Sequence, residues 1–159
     1  MRVFRACRYH CKFLVAVIVF LGCLCTSALA SEPFKIGYCV SLSGVYEFLG
    51  KELRDGLNLY MEQIGHKAGG RDLEVKVKNI GSNQVTWALD EAYKLIDKDK
   101  VDVIAGVVDS GCAYALAELI NQHQIPFVIS NAGADDLTQR KANPFIVRVS
   151  VGNSAGSHP

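Results

Sequence analysis

The apolar positions of this chain change period several times, and each change marks an element. Phe34 to Val40, entered from Pro33, is a short apolar run that suits a buried strand. Ser41 to Gly44 interrupts it. Leu49, Leu53, Leu57, Tyr60, Met61 and Ile64 then recur three and four apart, an apolar stripe along a helix that Gly65 and Gly69-Gly70 close. From Leu73 to Ile80 apolar and polar residues alternate, which predicts a strand with one wetter face at or near a sheet edge. Gly81-Ser82-Asn83 offers a turn and a helix cap. Val85, Ala88, Leu89, Ala92, Leu95 and Ile96 form a second stripe, with Lys94, Lys98 and Lys100 near the end where they suit the helix dipole. Val101 to Val108, nearly all apolar around Asp102, predicts a central strand. Asp109-Ser110-Gly111 opens a third helix carrying Ala113, Leu116, Leu119 and Ile120. Gln124-Ile125-Pro126 leads into a strand over Phe127–Ile129, and a last strand, Phe145 to Val149, follows Pro144.

Strands alternating with amphipathic helices predict an α/β fold, a doubly wound and mostly parallel sheet with helices on both faces. No internal repeat and no low-complexity tract interrupts the pattern. The expected divisions are a leader over residues 1–30, one lobe over 31–150, and a disordered or truncated tail over 151–159, where Gly152 to Pro159 lacks apolar periodicity.

The leader runs from Arg2, Arg5, Arg8 and Lys12 through the apolar stretch Phe13–Cys25 to Ala28-Leu29-Ala30. That order reads as a secretory signal peptide cleaved after Ala30, so the expected location is periplasmic. A retained membrane anchor is the alternative, though the apolar stretch is short for a permanent span. Phe20-Leu21-Gly22-Cys23 bears a faint likeness to a lipoprotein signal.

Without those four basic groups, 13 of the 17 basic side chains remain against all 16 acidic ones. A mildly acidic chain without an arginine-rich stripe gives nucleic acid no electrostatic purchase. Four of the six cysteines lie in the leader, leaving Cys39 and Cys112. Export permits a bridge between them, and two unpaired buried thiols are the other reading. Their spacing fits no zinc pattern, and no metal or cofactor is expected.

In an open parallel sheet, ligands bind beyond the C-terminal ends of the strands. Four loops lie there: 41–49, 81–84, 109–112 and 130–135. Ser110 is the first candidate, because free N–H groups at a helix start favour an anion and a hydroxyl adds a donor. It can equally cap its own helix. Asn131, Ala132, Gly133 and Ala134 follow the fourth strand, where Ala132 and Gly133 offer main-chain groups. Asp135 or Asp136 can meet a cation or cap a turn. Tyr46 and Phe48 can stack on a ligand or pack on their own helix. No base accompanies Ser110: His10 is in the leader, His158 in the tail, His66 beyond a helix and His123 at the far end of another. Without a triad, a nucleophile elbow or a phosphate loop, the chain does not read as an enzyme.

Three stretches resemble the exported solute-binding proteins of branched-chain amino-acid type ABC transporters. They are Ile36-Gly37 with Ser41 to Gly44 and Leu49 to Gly56, Lys98 to Gly106 with Ser110, and Gln124 to Ala134. The likeness covers about residues 34–149. It implies the type I periplasmic binding fold, in which two lobes close on a solute and present it to a membrane permease. This chain then corresponds to the N-terminal lobe only, a truncated form. By position Ser110 matches the family serine that holds a ligand carboxylate. Ala132 and Ala134 fall where relatives offer a main-chain oxygen and a threonine, and Leu49 where some place a tyrosine. The Asn-Ala-Gly-Ala form resembles relatives that take aromatic or other organic acids, so the implied ligand is an amino acid or a related carboxylic acid. A ligand-sensing receptor lobe of the same fold, or a fragment without function, are the alternatives.

Overall fold

The computed structural model describes residues 31–82, 84–140 and 142–155; the leader expected over 1–30 lies outside them. The elements run β1 (Phe34–Val40), α1 (Glu47–Gln63), β2 (Lys67–Ala68), β3 (Arg71–Asn79), α2 (Val85–Tyr93), β4 (Val103–Gly106), α3 (Ser110–His123), β5 (Phe127–Ile129) and β6 (Ile146–Arg148). One sheet holds the six strands in the order β2-β3-β1-β4-β5-β6. All neighbours are parallel except β2, whose two residues fold back on β3 through Lys67–Asp72 and Ala68–Arg71.

The mostly parallel, doubly wound sheet stands as expected. Alternate residues of β1 take opposite sides: Cys39 lies in the main core, whereas the Tyr38 hydroxyl reaches the Leu53 carbonyl of α1 at 3.2 Å. The main core lies on the α2 and α3 side. Cys39, Ile104, Phe127 and Ile129 from the strands meet Ala88, Ala92, Leu95, Leu116 and Ile120 from the helices, all buried. Removing that apolar surface from water is the main stabilising term.

The other side is covered less. Cross-strand register makes one row of Val77, Tyr38, Ala105, Val128 and Val147. α1 covers Tyr38, but Val147 remains 56% exposed. The expected α1 stripe is accordingly only partly used: Met61 is buried, Leu53, Leu57 and Ile64 are half-buried, and Leu49 and Tyr60 are exposed.

β3 lies near the sheet edge as expected, flanked on its outer side only by the two residues of β2, and its wetter face carries charges toward the end of α2. Lys76 meets Glu74 at 2.9 Å and Asp99 at 3.7 Å, and Lys78 meets Glu91 and Asp99 at 3.8 and 3.7 Å. The second apolar stripe leaves α geometry after Tyr93. Lys94 to Lys98 form wider π-type turns that end with the Asp99 amide donating to the Lys94 carbonyl. Val101 is buried but precedes β4, and Val107 leaves it with φ +72°. β4 is therefore shorter than its apolar run. Among the described residues no helix is long and apolar enough to cross a membrane.

Candidate functional site

Beyond the C-terminal ends of β1, β3, β4 and β5 the chain builds two connected pairs of loops. Asn79 and Ser82 organise the first pair. The Asn79 side-chain oxygen accepts from the amides of Leu42 (2.8 Å) and Gly81 (3.0 Å), and its side-chain nitrogen donates to the Ser43 hydroxyl at 3.2 Å. Ser82 donates to the Ser43 carbonyl at 2.8 Å and accepts from the Tyr46 amide at 3.0 Å. Ser82 therefore ties two loops together and does not cap α2. That helix starts after Gln84 without a side-chain cap. The network fixes where α1 begins, with half-buried Tyr46 at its N-cap, exposed Leu49 in its first turn and Phe48 72% exposed.

The second pair contains the start of α3 and the loop after β5. Asp109, not Ser110, is the N-cap: its carboxylate accepts from the Cys112 amide at 2.9 Å. Ser110 is free for another task. Its hydroxyl oxygen accepts from the Ala134 amide at 3.3 Å, which leaves its own hydrogen available to an outside acceptor. The amides of Ser110 and Gly111, at the first helical positions, have no hydrogen-bond acceptor among the described residues.

The loop from Ser130 to Ala134 is held through four of its amides and the carbonyls of Gly133 and Ala134. The Val107 carbonyl accepts from the amides of Asn131 (3.3 Å) and Ala132 (3.2 Å). The Gly133 carbonyl accepts from the Asn153 amide at 2.8 Å, and the Ala134 carbonyl from Arg148 at 2.8 Å. Ala132 is buried, so only its main chain can face a ligand; Asn131 is exposed. Asp135 is engaged by the Ser154 amide and hydroxyl at 2.9 and 3.0 Å. The structure thus brings Ser110 against Ala134 and the rest of that loop, while Tyr46 and Leu49 belong to the neighbouring Asn79 network. Sequence reading missed the roles of Asn79 and Arg148 and gave Ser82 a turn and cap in place of its tie to Ser43 and Tyr46, because each acts through a polar contact distant in the chain.

The second pair offers donors, the helix-start amides and a hydroxyl hydrogen, and two of its loop carbonyls, those of Gly133 and Ala134, are already taken. Beneath it lie Cys39 and Cys112, both buried and free. Burial pushes the Cys39 thiol up to about 12, reinforced by Glu91. Burial and then the adjacent Asp109 push Cys112 up to about 11. A hollow of about 490 Å³ lies elsewhere, on the outer flank of α3 between Tyr114, Glu118, Asn121, Leu137 and Ile146, and none of the expected site residues lines it.

A leucine/isoleucine/valine-binding protein homologue of Brucella abortus is 28% identical over 137 residues, covering 86% of this chain and 34% of that protein. An ABC transporter substrate-binding protein of Sphaerobacter thermophilus superposes with TM-score 0.72 at 33% identity, over 77% of this chain and 33% of that one. A solute-binding protein of an ABC transporter from Rhodopseudomonas palustris, solved with 3,4-dihydroxybenzoic acid, superposes with TM-score 0.71 at 32% identity, over 76% of this chain and 32% of that one. The chain spans about a third of the length of these relatives. Residues 33–159 match the family model described as periplasmic binding protein, and the chain belongs to that family.

Proposed function

We propose that this chain is the N-terminal, ligand-holding lobe of an exported ABC-transporter substrate-binding protein. Its ligand is a small carboxylic acid, an amino acid or an aromatic acid, which a closed two-lobed form would present to a membrane permease. One contact carries the reading: the Ser110 hydroxyl oxygen accepts from the Ala134 amide, which leaves its hydrogen available at a helix start whose first amides have no acceptor among the described residues. Donors converging at a helix N-terminus suit a carboxylate. Ala134 has no hydroxyl to add an acceptor for an ammonium group, which favours aromatic acids over amino acids. The benzoate-type ligands of the solved relatives support that preference.

A half-site of this kind stays open to water, so each hydrogen bond to the ligand contributes little net free energy. Titration of the isotope-labelled chain with benzoate, 4-hydroxybenzoate, leucine and valine tests the reading. The amides of Ser110, Gly111 and Gly133 are expected to shift, with dissociation constants of about 1 mM or weaker and the aromatic acids ahead. Silence at these amides would sink the site. Micromolar binding by this chain would sink the claim that it is an open half.

A further inference from the structure

We propose that Arg148 is a positioning residue, the clamp that sets the Gly133–Ala134 peptide against Ser110. Arg148 ends β6, in register with Ile129, whose strand releases the 130–135 loop. Its side chain is 9% exposed. One guanidinium nitrogen donates to the Ala134 carbonyl at 2.8 Å, and the other lies 3.8 Å from Asp135. Asp135 is itself fixed by Ser154, and the backbone of Gly152 lies directly against both charged groups.

The arrangement holds two consecutive peptides. The carbonyl of the Gly133–Ala134 peptide is taken by the Asn153 amide and its N–H by Ser110, while the carbonyl of the next peptide accepts from Arg148 at 2.8 Å and, at the longer distance of 3.3 Å, from the Leu137 amide. Ala134 is thereby pinned on both sides of its Cα, at φ −60° and ψ 120°. A planar fork that reaches two acceptors suits Arg and not Lys, whose ammonium can serve one of them well. Arg148 touches no ligand in this account. It acts through the loop, by turning the Ala134 carbonyl onto itself and leaving the preceding N–H to find Ser110.

The inference rests on the reading of this loop as half of a ligand site, but its first test needs no ligand. Amide hydrogen exchange is measured on the labelled chain and on Arg148→Met and Arg148→Lys. In Arg148→Met, exchange at Ala134 is expected to rise about tenfold or more, with Ile104, Ile120 and Phe127 unchanged. Arg148→Lys is expected to restore part of the protection, and it remains informative where the Met variant does not fold. Unchanged exchange at Ala134 in either variant would overturn the clamp. So would an equal rise at the core amides, which marks a merely structural role. Failure here leaves the carboxylate reading standing, because that reading is judged by the titration alone. A benzoate titration of Arg148→Lys completes the test: binding is expected about tenfold weaker than in the parent chain, and equal binding would overturn the positioning role.

Discussion

The backbone nitrogen of Ala134 lies 3.3 Å from the hydroxyl oxygen of Ser110, a contact between residues 24 apart in the chain. It joins the start of α3 to the loop after β5, and Asp109 beside it performs the capping. The two neighbours therefore divide their work. Asp109→Ala is expected to cost about 1 kcal/mol of stability through loss of the cap, with the benzoate-induced shifts retained. Ser110→Ala is expected to cost at most about 1 kcal/mol and to abolish those shifts. Urea melts and the titration, run on both variants, check the division; matching behaviour of the two variants in both assays would refute it.

Two glycines of α1 should respond in opposite directions to the same substitution. Gly50 is buried, and a Cβ there would collide with the carbonyl oxygen of Ser41, which cannot move without displacing the end of β1. Gly50→Ala is expected to destabilise by about 2–3 kcal/mol. Gly56 is exposed, and a Cβ there meets nothing within 4 Å. Gly56→Ala removes unfolded-state freedom from a helical position and is expected to stabilise by about 0.5–1 kcal/mol. Thermal melts of the pair decide, and equal shifts would mean that α1 does not dock on Ser41.

How much of this was legible depends on the range of the interaction concerned. β1 and β5 were readable to the residue, because a short apolar run between Pro, Ser and Gly has one reading on a buried strand. α3 was readable too, though not its cap: Asp and Ser stand adjacent, and sequence alone does not say which side chain turns back. Periodicity reports which face of α1 is apolar, but not how much sheet lies beneath it, so the exposure of Leu49 and Tyr60 was hidden. The contacts of Asn79 with Leu42 and Ser43, and of Arg148 with Ala134, connect a side chain to distant loop groups. Such bonds impose no period on the sequence. The positive φ of Val107 was hidden for a related reason, since nothing local favours a β-branched residue there.

Ser41 supplies a third expectation. Its residue is fully buried at the end of β1, and its hydroxyl has no hydrogen-bond partner among the described residues. A buried donor left unpaired costs about 1–3 kcal/mol. Ser41→Ala removes the orphan group and leaves a void of one oxygen atom, so a net gain of about 1 kcal/mol is expected. Chemical denaturation measures it. A loss of stability would instead mean that the hydroxyl holds a bound water.

The buried thiols predict how the fold meets alkali. Both have an ordinary value of 9.0; in the folded chain Cys39 stands at about 12 and Cys112 at about 11, burial being the first cause in each. Above pH 9 the unfolded chain releases these protons and the folded chain keeps them. Unfolding is then favoured as pH rises, and stability falls by about 1 kcal/mol per pH unit for each thiol. The loss begins near pH 9, involves both thiols up to about 11, and continues through Cys39 alone to about 12. Burial raises the Tyr38 phenol as well, against an opposing hydrogen bond with Ser130, and adds to the slope above its ordinary 10.0. Urea melts from pH 7 to 10.5 should therefore be flat at first and decline beyond pH 9, and Cys39→Ala should flatten the decline at some cost in packing at neutral pH. In parallel, iodoacetamide at pH 8 should leave Cys39 and Cys112 of the folded chain unmodified and alkylate both in urea, since their reactive thiolate is scarce and enclosed. A stability that holds level to pH 10.5, or rapid alkylation of Cys39 or Cys112 in the folded chain, would show that these two are not packed under the loops that carry Ser110 and Ala134.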